Sequence, residues 1–326
     1  MMANIAFYLS TLGYRGTTRA VLEYTKLLSD DHIVSILFDP CSYGNQLSIG
    51  TEILKSGVQL VPVNMYDVRK INSLDFDSFY FVTADVDANN RWIQDINAHT
   101  LIHQVGYQIH DEDISDKYAY TSLWQSAFLS GGDVGCLPYI IVPNNNNAVD
   151  MRDDLSIPQD SIVLGRHGGL DTWNLDFVNA AILKVLEVRS DIHFVFMNTI
   201  QFAQHSNIHF IEGTHNTSTV GQFINTCDAM IHARWEGETF GLACAEFLIK
   251  DKPVITWSQS RERNHILIGG QSTLFYNNEL DLYTTLLHLN HHLLDMKKKL
   301  IPRDHLVNYQ PLSVLSKLKY YLGINP

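Results

Sequence analysis

Glu238 and Glu246 stand with seven residues between them in the stretch Cys227-Asp-Ala-Met-Ile-His-Ala-Arg-Trp-Glu-Gly-Glu238-Thr-Phe-Gly241-Leu-Ala-Cys-Ala-Glu246-Phe-Leu-Ile-Lys-Asp-Lys-Pro253-Val-Ile-Thr256. The pattern reads as strand, loop, helix, short turn and strand, with the helix beginning near Phe240–Gly241. Free N–H groups and the positive dipole end at a helix start suit a diphosphate. Gly241, Ala243 and Ala245 are small enough to let a ligand and neighbouring backbone come close. Glu238 precedes those amides and Glu246 lies over a turn into the helix. A carboxylate accepts hydrogen bonds from vicinal hydroxyls, so two of them flanking an anion site suit a ligand with hydroxyls on both sides of a diphosphate. A nucleotide sugar has that form.

Other residue groups compete for attention. The apolar run Phe79–Thr83 leads into Ala84-Asp85-Val-Asp87, a D-x-D that a hard cation such as Mn²⁺ could use. The reading preferred here is that Asp85 and Asp87 cap a helix beginning near Ala88. His205-x3-His209 has no third ligand nearby, which argues against zinc. Gly13-Tyr-Arg-Gly16-Thr-Thr follows the first apolar run but is not G-x-G-x-x-G, which lowers a dinucleotide reading. His103 ends a strand candidate, and either a reactive His or a hydrogen-bonded core His would fit there; His110 is a weaker candidate for the same role.

The elements that must position these groups alternate. Strand candidates lie at Ile5–Leu9, Ile33–Phe38, Val58–Val63, Phe79–Thr83 and Leu101–His103, with helical segments between them, and Tyr139–Val142 closes this first series. Pro143 and Asn144–Asn147 make a linker. A second series follows at Ile162–Gly165, His193–Met197, Ile208–Ile211, Ala229–His232 and Val254–Trp257, with helices such as Phe177–Val188 and Leu312–Leu322. Alternation of this kind predicts parallel sheets covered on both faces. The expected fold class is α/β, with two Rossmann-like lobes facing a central cleft: residues 1–143 on the acceptor side, a linker at 144–147, and 148–326 as the donor domain. The last helix, about 312–322, would pack back on the first domain.

Composition bounds the partners. A chain of 326 residues with 45 % hydrophobic residues suits two well-packed lobes and not disorder. Its 23 basic and 35 acidic residues leave a net charge of −12, which argues against nucleic acid or an anionic membrane surface. Any phosphate must therefore be held by local groups. Four scattered cysteines without a C-x-x-C pair fit a reduced compartment, and no stretch approaches a transmembrane span. The expectation is a cytoplasmic protein.

The Glu238/Glu246 arrangement resembles the E-x7-E signature of retaining GT-B glycosyltransferases, especially the GT4-like (glycosyltransferase group 1) family. Thr-Phe-Gly-Leu is similar to that family's Gly-Phe-Gly-Leu loop, and Lys252-Pro253-Val254-Ile255 to its Lys-Pro-Val strand. The resemblance implies transfer of a hexosyl unit from a UDP- or GDP-sugar to a glycan, lipid-linked or small hydroxyl acceptor, in glycan synthesis, with no metal or other cofactor. It implies that Glu238 contacts the transferred sugar, that Glu246 contacts the ribose, and that Thr239, Phe240, Gly241 and Leu242 line the sugar and phosphates. Leu164-Gly165-Arg166-His167-Gly168-Gly169 matches the family's Gly-Arg, whose Arg grips the diphosphate. A Lys usually follows about six residues later, where this chain has Thr172; Arg15, Arg234, Arg261 and Arg263 are the possible substitutes. Asn198-Thr199 and Thr214 stand where relatives contact the donor, Gly13 and Gly16 where they place a loop near the diphosphate, and His103 where they place a His at the reacting centre. The alternatives are a metal-dependent GT-A enzyme using Asp85 and Asp87, and a non-catalytic nucleotide-sugar binder.

Overall fold

The computed structural model describes residues 2–13, 15–64, 66–109, 113–142, 149–214 and 216–324. The Asn144–Asn147 linker and His110 lie outside the described residues. The chain divides into two compact units, Met1–Ile140 with Asn308–Pro326, and Ile141–Val307.

The first unit is built on β1 (Asn4–Leu9), β2 (Ile33–Phe38), β3 (Gln59–Pro62), β4 (Ser78–Thr83), β5 (His99–Gln104) and β6 (Lys117–Tyr120). They form one sheet in the order β3-β2-β1-β4-β5-β6, and every pairing is parallel. β1 and β4 are largely apolar and β5 is buried along most of its length, as in a parallel sheet covered on both faces, and Phe79, Phe81 and Tyr8 sit in the core. The helix Pro311–Tyr321 belongs to this unit: Val314 and Leu318 are fully buried, and the Ser78 hydroxyl donates to the carbonyl of Leu322 at 2.6 Å.

The second unit repeats the plan. Its strands are β7 (Ile162–Arg166), β8 (Ile192–Met197), β9 (Ile208–Ile211), β10 (Ala229–His232), β11 (Gly237–Glu238), β12 (Val254–Trp257), β13 (Glu262–Arg263) and β14 (Leu274–Tyr276). The main sheet runs β14-β12-β10-β7-β8-β9, again all parallel, and β11 pairs with β13 in a separate two-stranded piece. The strand order reverses between β7 and β10, and in open α/β sheets the crevice at the carboxyl ends of such strands receives ligands. Arg166 ends β7 and His232 ends β10, so those two side chains mark the place.

Three sequence expectations need correction. Tyr139–Ile141 is buried but forms no strand: the chain bridges the edge of β6 only at Cys136, just before it, and a short buried apolar run alone cannot tell a strand from such a segment. The short strands β6 and β14 fall outside the expected set. Asp87 does cap the 3₁₀ helix Ala88–Asp95, accepting from the Asn89 amide at 2.8 Å. Asp85 does not: its carboxylate accepts from the Gln108 amide at 3.0 Å and so ties down the loop after β5.

On β8 and β9 two histidines face each other. The rings of His193 and His209 stack at 5.6 Å, with Nδ1 of one 3.2 Å from Nε2 of the other, so one nitrogen must donate to the other's lone pair. Burial first, and then the neighbouring His209 charge, pushes His193 down to about 4, and burial lowers His209 as well. Folded values below the ordinary 6.5 mean that the unfolded chain takes up protons first. Stability should be fully present above about pH 6.5 and fall as pH drops toward 4. Buried His103 and His265 act in the same direction. The expected outcome is a melting temperature that declines across that window, less steeply in His193→Gln; an equal slope in the variant would refute the assignment.

Candidate functional site

Arg166 projects from the end of β7 and is 3 % exposed. Nη1 donates to the Asn198 carbonyl at 2.8 Å and the Thr199 hydroxyl at 2.7 Å; Nη2 donates to the Gly169 carbonyl and the Thr172 hydroxyl, both at 2.6 Å. Four terminal N–H donors therefore meet four neutral acceptors, and the charge itself is not cancelled by any of them. Burial lowers the guanidinium to about 10, which leaves it protonated at neutral pH. The loops respond to this demand. Asn198 takes a left-handed φ of 52° that turns its carbonyl to the guanidinium, and its side-chain amide donates to the Gly168 carbonyl at 2.8 Å. The terminal donors that the resemblance assigns to a diphosphate meet these four protein acceptors in this structure. Thr172, at the position of the expected Lys, instead receives Arg166.

The second group lies beyond β10. Glu238 Oε1 is 3.3 Å from Nε2 of His232, and Arg234 Nη1 donates to Glu238 Oε2 at 3.0 Å. Burial pushes this carboxyl up, but the His232 hydrogen bond and the charges of Arg234, His232 and Arg166 outweigh it and hold it below the usual range. Arg234 Nε also pairs with Glu236 at 3.4 Å. Behind His232, Nδ1 meets the Thr256 hydroxyl at 2.9 Å, and that hydroxyl meets His265 Nε2 at 3.1 Å. Gly237 makes the approach possible. At φ +82° a Cβ there would stand 2.0 Å from the Glu262 carbonyl and 2.7 Å from Ser260 Cβ, so only glycine lets β11 lie on β13 and deliver Glu238.

Leu242–Ile249 is the helix expected after the loop. Gly241 caps it in the left-handed region, φ 84°, and as a glycine brings no side-chain oxygen of its own to the first-turn amides. A helix leaves its first N–H groups without intrahelical acceptors, and here no side chain of the cap takes them up. The Phe240 carbonyl is held by the Asn264 amide at 2.6 Å, which fixes the turn. Glu246 faces His167, Oε2 to Nε2 at 3.1 Å, and the His167 ring stacks on Phe247 and meets Phe223 edge-on.

The structure thus brings Arg166, Asn198, Thr199 and Thr172 into one cluster and Glu238, His232 and Arg234 into the next, with Glu246 and His167 on the same helix-and-strand framework. Thr239, Phe240, Gly241 and Leu242 occupy the intervening turn. Thr214 accepts from the Asn216 amide at 3.1 Å and shapes the turn before helix Thr217–Thr226. Gly13 and Gly16 belong to the first unit, at the loop and start of helix Gly16–Leu28. His103 is corrected: it is wholly buried in that unit, ringed by Tyr24, Tyr80 and Tyr139, with Nδ1 sharing a 2.5 Å hydrogen bond with the Tyr80 hydroxyl. Burial drives it down to about 3, so it is a neutral core residue. Of the substitutes for the absent Lys, Arg15 and Arg263 are exposed, Arg261 pairs with Glu262 at 2.8 Å, and Arg234 alone joins the Glu238 cluster. His167, His232, Thr256 and His265 escaped the sequence reading. A His at a strand end, as at 232, was the available signal.

No family model matches the chain, and no curated protein does. Solved structures do. A glycosyltransferase from Rickettsia africae matches with 14 % identity over 98 % of both chains and a TM-score of 0.74. HepE from Anabaena, in complex with UDP and glucose, matches with 10 % identity over 98 % of this chain and 99 % of its own, at 0.75. MnaA from S. aureus, bound to UDP, matches with 12 % identity over 99 % and 98 %, at 0.64. At such identity the likeness establishes the fold: two α/β units with parallel six-stranded sheets, the GT-B architecture, which fits better than GT-A.

Gly237→Ala should cost about 1–3 kcal/mol through strain and displaced pairing. It should lower the melting temperature accordingly. Gly16→Ala, whose Cβ would meet nothing within 4 Å, is the control and should melt as the parent or slightly higher. Equal melting of Gly237→Ala and the parent would show that β11 tolerates a side chain there.

Proposed function

We propose that this chain is a glycosyltransferase that moves a hexosyl unit from a UDP- or GDP-sugar to a hydroxyl acceptor, with retention and without a metal ion. The observation that carries the reading is one juxtaposition. A glycine-capped helix N-terminus lies between Glu238 and Glu246 in the chain, in the unit whose switch-point strand carries a buried Arg166 with its terminal N–H groups bonded to neutral acceptors. Neighbours that hold UDP, or UDP with glucose, share the fold and support a nucleotide-sugar donor.

In this reading the Leu242, Ala243 and Cys244 amides receive the diphosphate, and Arg166 stabilises its growing charge through the field of a fixed cation. The anomeric carbon–phosphate oxygen bond breaks, the acceptor oxygen bonds to that carbon, and its proton passes to the departing phosphate oxygen. Glu238, kept anionic by His232 and Arg234, holds sugar hydroxyls while positive charge grows on the ring. Glu246, set by His167, takes the ribose diol. Arg234 is the second cation in place of the absent Lys. His103 has no part. The occupied donors of Arg166 favour one rival, a donor-binding protein without turnover; release of free sugar or transfer by the purified chain distinguishes the two.

Two measurements follow. Transfer should survive EDTA largely intact, whereas complete loss that Mn²⁺ restores would return Asp85 and Asp87 to the site. Glu246→Ala should raise the donor KM and weaken calorimetric binding of free nucleoside diphosphate. Glu238→Ala should lower kcat by about tenfold or more, because its contacts matter most as charge develops, and leave nucleoside diphosphate binding nearly unchanged. Equal losses of nucleotide affinity in both variants would refute the division of roles.

A further inference from the structure

Trp235 is 61 % exposed, although it lies between two residues that are firmly held, Arg234 and Glu236. Its indole is not loose. One face lies against Trp257, with ring centroids 5.0 Å apart and planes inclined by 31°. Trp257 is itself 6 % exposed and donates from Nε1 to the Asn277 carbonyl at 3.1 Å. The Trp235 amide donates to Asn174 Oδ1 at 2.7 Å, and the Asn174 amide returns to the Ala233 carbonyl at 3.1 Å. A large apolar plate is therefore fixed from behind, with its other face presented to solvent.

The polar groups beside the plate restrict what that can be. Asn174 Nδ2 donates to Glu236 Oε2 at 3.2 Å, and Arg234 Nε lies 3.4 Å from the same oxygen. The Glu236 carboxylate also takes a hydrogen bond from its own backbone amide, yet its side chain is 38 % exposed and can still accept from outside donors. A carboxylate only accepts and it repels phosphate, so the edge of the plate calls for hydroxyl donors. An apolar face with hydroxyls at its rim is the form of a pyranose ring, and aromatic plates with a few placed polar groups are how such ligands are held. The place agrees: these residues sit after β10, three positions from Glu238.

We propose that Trp235, with Glu236 and Asn174, forms a carbohydrate subsite that stacks a pyranose ring beside Glu238. The subsite rests on the reading of the chain as a sugar-transferring protein, and free glycosides test it apart from that reading. The full chain, Trp235→Ala and Trp235→Phe would be titrated with UDP, GDP, UDP-glucose and methyl gluco-, galacto-, manno- and N-acetylglucosaminopyranosides, following tryptophan fluorescence and heat. At least one glycoside should change the parent's fluorescence. Trp235→Ala should abolish that change and weaken the glycoside about fivefold to tenfold, with Trp235→Phe between. UDP and GDP affinity should stay unchanged. Loss of the affinity that UDP-glucose has beyond UDP would place the donor's sugar on the plate; its retention, with the glycoside weakened, would place an acceptor's there. The subsite is refuted if no glycoside perturbs the parent, if Trp235→Ala binds glycosides as the parent does, or if nucleotide affinity itself falls, since the plate would then hold a base. A parent that binds neither UDP nor GDP would remove the proposed function, while the glycoside titrations still decide the subsite.

Discussion

Arg166 carries a full charge to a place with 3 % exposure, and the groups that receive it there are carbonyls and hydroxyls. Burying a charge without an opposite charge against it is costly unless every donor is satisfied. The local backbone is bent to meet that demand. Asn198 adopts φ 52°, Gly168 adopts φ 155°, and Thr172 turns its hydroxyl inward while donating to Gly169 at 2.9 Å. The ends of β7 and β8 and the loop between residues 167 and 172 are thus one unit. What remains after all donors are satisfied is the field. That field reaches Glu238 and helps to hold its carboxyl below the usual range.

Charges alternate outward from that point. Glu238 lies close enough to Arg166 to feel its charge, Arg234 pairs with Glu238, and Glu236 pairs with Arg234. A carboxylate placed in such a series stays ionised despite burial, which suits it to hold hydroxyls and not to move a proton. Position is set by backbone as much as by charge. Without Gly237 the strand β11 could not lie on β13, and Gly241 starts the helix in a left-handed turn with no side chain of its own.

Most of this architecture was legible, and the unread part has a common cause. Parallel strands buried on both faces leave unbroken apolar runs, so β2, β8, β9, β10 and β12 could be read within a residue or so. Lys117–Tyr120 mixes Lys and Ala with its two tyrosines, and Leu274–Tyr276 is only three residues long, so neither leaves a run that stands out. The loop and helix around Glu238 were readable because strand, glycine and small-residue helix follow one another directly in sequence. Arg166 was readable as a residue but not in its engagement, since its partners at Asn198 and Thr199 depend on β8 lying beside β7. His103 shows the same limit from the other side. A His near the end of a strand covered on both faces can point into the core, and the tyrosines that enclose it come from distant positions.

The hydrogen bonds behind Glu238 decide where their protons sit. Thr256 has one hydroxyl proton and stands between His232 Nδ1 and His265 Nε2, so it can donate to at most one of them and must accept from the other. His265 Nδ1 is buried with no partner. If Thr256 donated to His265, the remaining nitrogen of a ring protonated there would carry an N–H with nothing to receive it, and His232 would bear protons on both nitrogens. If Thr256 donates to His232 Nδ1, then His265 gives its Nε2 proton to Thr256 and leaves only a bare lone pair inside. An unmet lone pair costs less than an unmet N–H. Burial also drives His265 far below its ordinary value, which agrees with a single proton on that ring. His232 then has its proton on Nε2, directed at Glu238. The carboxylate is therefore oriented from behind by the Nε2 N–H of His232 and from the side by Arg234, and the direction of that N–H is set two residues deeper in the core, at His265.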